Sequence, residues 1–130
     1  MGWDRRAWMM LAATSGLISV LAGAFAAHGA ADPVAKELLK TGASYQFMHA
    51  LATVACAVFI DAGAHRARLA PGFFLGGTVL FSGSLYALAF GAPGWVGAAT
   101  PLGGVMFLLG WAVLVWAAGD IDSIAGHPRD

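Results

Sequence analysis

LAPGFFLGGTVLFSGSLYALAFGAPGWVGAATPLGGVMFLLGWAVLVWAAG, from Leu69 to Gly119, runs for 51 residues without one Asp, Glu, Lys or Arg. As a single helix it would be roughly 75 Å long, far beyond a hydrocarbon core of about 30 Å. The stretch therefore predicts two membrane-spanning helices that reverse direction inside it. Gly91-Ala92-Pro93-Gly94 marks the reversal. Thr100 as N-cap, with Pro101 at the first helical position, marks the new start. Spans over 69–90 and 101–118 follow. The same stretch excludes a soluble helical bundle, because it leaves nothing to face water.

Two more spans lie upstream. Residues 7–27 carry no charge, and 42–60 are apolar apart from Gln46 and His49 as the costliest residues. Arg5 and Arg6 precede the first span, and Ala24-Phe25-Ala26 resembles a small-residue cleavage site. The apolar run is longer than a usual signal core and more membrane protein follows it, so an uncleaved span is expected. Between the first two spans, Asp32-Pro33 reads as a cap and a first-turn proline. Val34, Leu38 and Leu39 share one face there, and Lys36, Glu37 and Lys40 the other. A short interfacial helix is predicted. The expected fold is thus an all-α, four-helix membrane bundle forming one domain, with a polar tail over 119–130.

Orientation follows from basic residues near span ends. Arg5, Arg6, Arg66, Arg68 and Arg129 fall on one side, Lys36 and Lys40 on the other. The positive-inside rule then places both termini in the cytoplasm. Trp3, Trp8 and Trp116 belong near the inner interface and Trp95 near the outer; Trp111 lies deeper and reads as a packing residue. His65 and His127 sit in polar segments and read as solvated.

Composition agrees with lipid as the solvent: 59% of residues are hydrophobic and 11% charged. Seven basic and seven acidic residues cancel, which sets nucleic acid aside as a partner. The bilayer itself is the first partner, with other membrane proteins or self-association beyond it. The lone Cys56 can form no intrachain disulfide and reads as a small apolar side chain.

Helices in lipid associate through close backbone approach. In the first span Ala12, Ser15, Gly16, Ser19, Gly23 and Ala26 share one face. In the third, Gly72, Gly76, Gly83, Ala87 and Gly91 do the same, with Gly72 and Gly76 forming a GxxxG pair. Both stripes are expected to meet another helix, in this chain or a second one.

The second span has one polar face, made of Tyr45, Gln46, His49, Thr53 and Cys56. Facing lipid would be costly, so this face should turn inward. Topology then gathers His28, Tyr45, Gln46, His49, Ser82, Ser84, Tyr86 and Thr100 toward the outer end of the bundle. Several segments here, Gly23-Ala24-Phe25-Ala26-Ala27-His28-Gly29, Tyr45-Gln46-Phe47-Met48-His49-Ala50, Phe81-Ser82-Gly83-Ser84-Leu85-Tyr86 and Thr100-Pro101-Leu102-Gly103-Gly104, with Gly110-Trp111 beyond, resemble motifs of the YgdD-like family. This is domain of unknown function 423, with relatives in eukaryotic transmembrane protein 256. The likeness runs in order from about Trp8 to Ala118. Ala26 departs from it where the family usually has glycine, which leaves open how closely another helix approaches there. The resemblance implies a four-span inner-membrane protein and brings no established activity.

Three readings of the polar group compete. In the first, the side chains hydrogen-bond one another and fix the bundle, and the protein is a structural or accessory component of a membrane complex. In the second, Tyr45, Gln46 and Ser84 line a small outer pocket of a transporter or sensor for small molecules or ions, with His49 switching charge near physiological pH. Against this, no span contains an Asp, Glu, Lys or Arg. In the third, His28 and His49 ligate haem or a metal from facing helices. Two neutral ligands with no cysteine pair or nearby carboxylate make a sparse site, so neither metal nor cofactor is expected. No nucleophile with its base, no paired carboxylates and no phosphate-binding glycine loop can be assembled, so catalysis is the least supported class.

Overall fold

A computed structural model describes residues 3–121, so the expectations for His127 and Arg129 lie outside the described residues. Four helices long and apolar enough to cross a membrane account for most of them. Helix α1 spans Arg5–His28, with the Asp4 carboxylate accepting from the Ala7 amide at 3.2 Å as its N-cap. Helix α2 spans Pro33–Asp61, and Asp32 caps it by accepting from the Ala35 amide at 3.1 Å. A 3₁₀ turn at His65–Leu69 leads into α3, Ala70–Ala89. A second at Gly94–Ala98 leads into α4, Ala99–Ala118.

Two boundaries differ from the sequence expectation. The interfacial helix expected after Asp32-Pro33 is not separate: it is the start of α2, which continues unbroken for 29 residues, about 43 Å of rise. Gly42, where the span was expected to begin, does not interrupt it. An isolated helical glycine costs only about 1 kcal/mol relative to alanine. Gly42 serves contact instead, since a Cβ there would lie 2.6 Å from Cε1 of Tyr86 on α3. Thr100 is also not the N-cap of α4. The preceding 3₁₀ turn runs straight into the helix, with the Ala99 amide bonded to turn carbonyls, so the Thr100 hydroxyl is released for another partner. The expected reversal lies in place, with Gly91 at φ +95°.

In packing order α1 lies along α2, α2 along α3 and α3 along α4, while α4 leans back to touch α2. Helix α2 thereby reaches all three others. The α3–α4 seam is the closest: a Cβ on Gly103 would fall 2.7 Å from the Gly77 carbonyl oxygen and 2.8 Å from the Phe81 Cβ. Gly110 sits equally tightly under the Phe74 ring. At the end carrying the arginines, Ala52, Cys56, Ala64, Ala67, Ala70, Phe74, Leu114 and Ala117 form a buried apolar cluster. The rim of that end is tied by an Arg5–Asp61 ion pair and by Arg66, which bonds Asp120 at 3.1 Å and lies 4.3 Å over the Trp116 ring.

Candidate functional site: the polar core and its flanking clefts

The continuity of α2 sets the depth of the site. Gln46 and His49 lie 13 and 16 residues below Pro33, about 20 and 24 Å down a helix of about 43 Å. Those distances run from a helix start nine residues before the expected start of the span, while Ser84 and Thr100 of the same group meet beside the first turn of α4.

Gln46 is buried and joins three helices. Its Nε2 donates to Ser15 Oγ of α1 at 3.2 Å, and its Oε1 accepts from the Tyr86 hydroxyl of α3 at 2.7 Å. His49 is also buried. Its Nδ1 lies 2.7 Å from the Tyr45 carbonyl and its Nε2 lies 3.1 Å from the Trp111 indole nitrogen of α4. A carbonyl only accepts and an indole N–H only donates, so the pairing assigns the neutral tautomer with the proton on Nδ1. The imidazole stacks on Phe107 with centroids 3.6 Å apart and planes 7° from parallel, and Phe74 and Trp111 pack around it.

The remaining polar residues are distributed along the seams. Ser82, fully buried, donates to the Gly42 carbonyl at 2.7 Å and so ties α3 to α2. Ser84 and Thr100 share a bond of 2.6 Å between α3 and α4. Tyr45 is 40% exposed; its ring stacks against Phe107 and tilts against Phe81. Thr53 and Cys56 return their side chains to carbonyls one turn back on α2. His28 does not join the group: it is exposed at the end of α1, far above His49 along the bundle axis. Among the described residues, every buried side-chain nitrogen and oxygen has a partner, and no three His, Cys, Asp or Glu gather closely enough to hold a metal ion.

The small-residue stripes divide. Ser15 and Ser19 are buried and Gly23 faces the Ala43 Cβ, so these residues form the α1–α2 seam. A Cβ added at Gly16, Gly72 or Gly83 would meet open space, and one at Gly76 would meet the flexible end of Met106. Glycines in the tightest contact are Gly42, Gly77, Gly103 and Gly110, which the stripes did not single out. Their signal in the sequence is an aromatic partner on the facing helix, visible only once register is known. Trp111 was read as a packing residue; it is the hydrogen-bond partner of His49. Ser15, expected only as a packing residue, completes the Gln46 bridge.

Gly72 and Gly76 leave a cleft of about 480 Å³ between α1 and α3, with Gln46 and Ser15 at its floor and Leu11, Ile18 and Val79 along its walls. The walls are exposed, 49% at Leu11, 45% at Ile18 and 70% at Val79, so the cleft opens sideways into the lipid.

These features define a small four-span integral membrane protein whose interior polar groups are engaged in holding its own helices together. A family model described as "Protein of unknown function (DUF423)" matches residues 22–104. The chain belongs to that family. It is 41% identical over 114 residues to a UPF0382 membrane protein of Haemophilus influenzae, covering 85% of this chain and 92% of the relative. It is 40% identical over 122 residues to the UPF0382 inner membrane protein YgdD of Escherichia coli, covering 87% and 89%. The UPF0382 membrane protein YwdK of Bacillus subtilis is 37% identical over 118 residues, covering 87% and 96%. No solved structure matches. The chain is accordingly a multi-pass protein of the inner membrane, in a family of unknown function.

Proposed function

We propose that the protein is a non-catalytic structural or accessory component of a membrane assembly, seated with its arginine-bearing end in the cytoplasm. The observation that carries this reading is the pairing of a closed polar interior with an open lateral cleft. Gln46, His49, Ser82 and Ser84 each end on a neighbouring helix, which gives every helix–helix seam a side-chain hydrogen bond. No conduit is needed to explain them. The cleft between α1 and α3 is bounded by Gly72 and Gly76, the residue type that lets a further membrane helix approach closely. Its occupant in this reading is a transmembrane helix of a second chain. Arg5 and Arg6 in the first turn of α1, with Arg66 and Arg68 in the loop between α2 and α3, support the orientation.

A photo-crosslinking residue placed at Val79, which is 70% exposed, tests the reading in native membranes. A discrete adduct is expected, and it should vanish in Gly72→Leu, which fills the cleft without touching the bundle. An adduct indifferent to Gly72→Leu, or monomer alone, overturns it.

A second reading is favoured by the floor of the same cleft. Ser15 and Gln46 could offer polar contacts to a small molecule, although the outer pocket of Tyr45, Gln46 and Ser84 expected from the sequence is dispersed, with Ser84 bonded to Thr100. Haem or metal ligation by two histidines finds no support: His49 has both ring nitrogens engaged and His28 lies at the other depth.

A further inference from the structure

The two lysines at the end opposite the arginines have no role so far. The positive-inside pattern leaves Lys36 and Lys40 on the side where basic residues are disfavoured. They lie one turn apart on α2, both exposed, and neither forms an ion pair among the described residues. Asp32, four residues before Lys36, and Glu37, three before Lys40, form no ion pair with either lysine among the described residues. Below the lysines, on the flank of the α1–α2 seam away from the α1–α3 cleft, run two adjoining hollows of about 240 and 290 Å³. They share Gly23 and Lys40. The upper one is bounded by Ala26, Ala27 and both lysines; the lower continues past Ala43 and Ser44 to Phe47.

The charge and the groove lie on one line. Helix α2 is longer than a hydrocarbon core is thick, so its first turns, with Lys36 and Lys40, lie at headgroup level, while Phe47 lies a further 10 Å or so toward the midplane. Lysine stems extend along apolar surface and deliver their ammonium groups to that level. Two cations held in no ion pair above a groove of small residues complement one molecule: a phosphate ester with net negative charge, attached to an acyl chain. A soluble phosphate would satisfy the lysines and leave the groove unfilled; a zwitterionic lipid would fill the groove and leave the second cation unpaired. We infer that the α1–α2 groove is a binding site for an anionic phospholipid, with its headgroup phosphate on Lys36 and Lys40 and an acyl chain lying along Gly23, Ala43 and Ser44.

The test is native mass spectrometry of the full chain in detergent, titrated with phosphatidylglycerol, phosphatidylcholine or sn-glycerol 3-phosphate. Phosphatidylglycerol should bind with about a 30-fold preference over phosphatidylcholine, on the order of fivefold for each lysine. The soluble headgroup should form no stable adduct. Lys36→Gln combined with Lys40→Gln should abolish the preference, and Lys36→Arg with Lys40→Arg should keep it. Wild-type protein supplies a reading that needs no variant, because raised salt should shrink the preference. Equal binding of the two lipids, a preference indifferent to the lysines or to salt, or equal occupancy by glycerol phosphate alone overturns the inference.

Discussion

Replacing Gln46 with leucine removes both hydrogen bonds of the side chain that joins three helices while keeping nearly the same volume. Tyr86→Phe removes only the hydroxyl and leaves the ring against Gly42. Interhelical hydrogen bonds in membrane proteins average about 0.6 kcal/mol and reach about 1.7. The bond from Tyr86 at 2.7 Å is short and part-buried and belongs at the upper end; that to Ser15 at 3.2 Å is longer and belongs near the mean. Gln46→Leu should therefore destabilise the bundle by about 2 kcal/mol, and Tyr86→Phe by about 1.5. Their combination should be less than additive by about 1.5 kcal/mol, because the second change removes a bond already lost. The assay is reversible unfolding by dodecyl sulfate titrated into mixed micelles, followed by far-ultraviolet circular dichroism. Strict additivity, or a Gln46→Leu protein as stable as wild type, would refute the claim that this bridge holds α1, α2 and α3 together.

Other outcomes follow from the same geometry. Gly103→Ala should destabilise by at least about 2 kcal/mol in the same titration, because the added methyl would meet the Gly77 carbonyl and the Phe81 backbone rather than a flexible tip. Gly83→Ala, with open space at its Cβ, should be neutral or slightly stabilising, and the two glycines make a matched pair. Trp111→Phe should cost about 1 kcal/mol and alter the ¹⁵N spectrum of His49, which in the wild type should show Nδ1 protonated and Nε2 accepting; the opposite tautomer would sink the assignment. A reporter fused after Asp130 should read out in the cytoplasm, and an external signal would reverse the orientation proposed here.

The architecture was open to sequence reading because bilayer thickness imposes a length rule. The uncharged run from Leu69 to Gly119 had to turn, and Gly91, with its positive φ, is where it turns. The start of α2 was misplaced for a related reason. Charges at Lys36, Glu37 and Lys40 lower local hydropathy and mimic a separate surface element, but helix continuity is set by backbone geometry and by Gly42 packing under Tyr86. That continuation adds turns of helix above Gln46 and His49 that the sequence reading had assigned to a separate element. Polar partners were legible as a set, since a helical wheel places Gln46 and His49 on one face, but not as pairs. Which residue meets Gln46 depends on the axial offset between helices, and Ser15 and Tyr86 are 31 and 40 positions away from it. The indole of Trp111 shows the same limit, because a tryptophan reads as belt or filler until a facing acceptor gives its N–H a direction.

The helices are not held equally, and the difference bears on function. Helices α2, α3 and α4 interlock through glycine–aromatic contacts, the Phe107–His49 stack and four side-chain hydrogen bonds. Helix α1 is held chiefly by α2, through one long bond from Gln46 to Ser15, small-residue contact, and an exposed ion pair of Arg5 with Asp61 at its end. Exposed ion pairs contribute at most about 1 kcal/mol. The Gly72 cleft lies along one flank of this helix and the lysine groove along the other. Filling either one would add contacts to the element with the fewest, so the two proposed occupancies should be coupled through α1. A lipid seated at Lys36 and Lys40, as inferred above, would add contact across the α1–α2 seam and so bear on the opposite cleft, the proposed seat of a partner helix. Helix association should then depend on the anionic lipid content of the membrane, and that dependence should disappear when Lys36 and Lys40 are replaced by glutamine while the cleft itself is left intact.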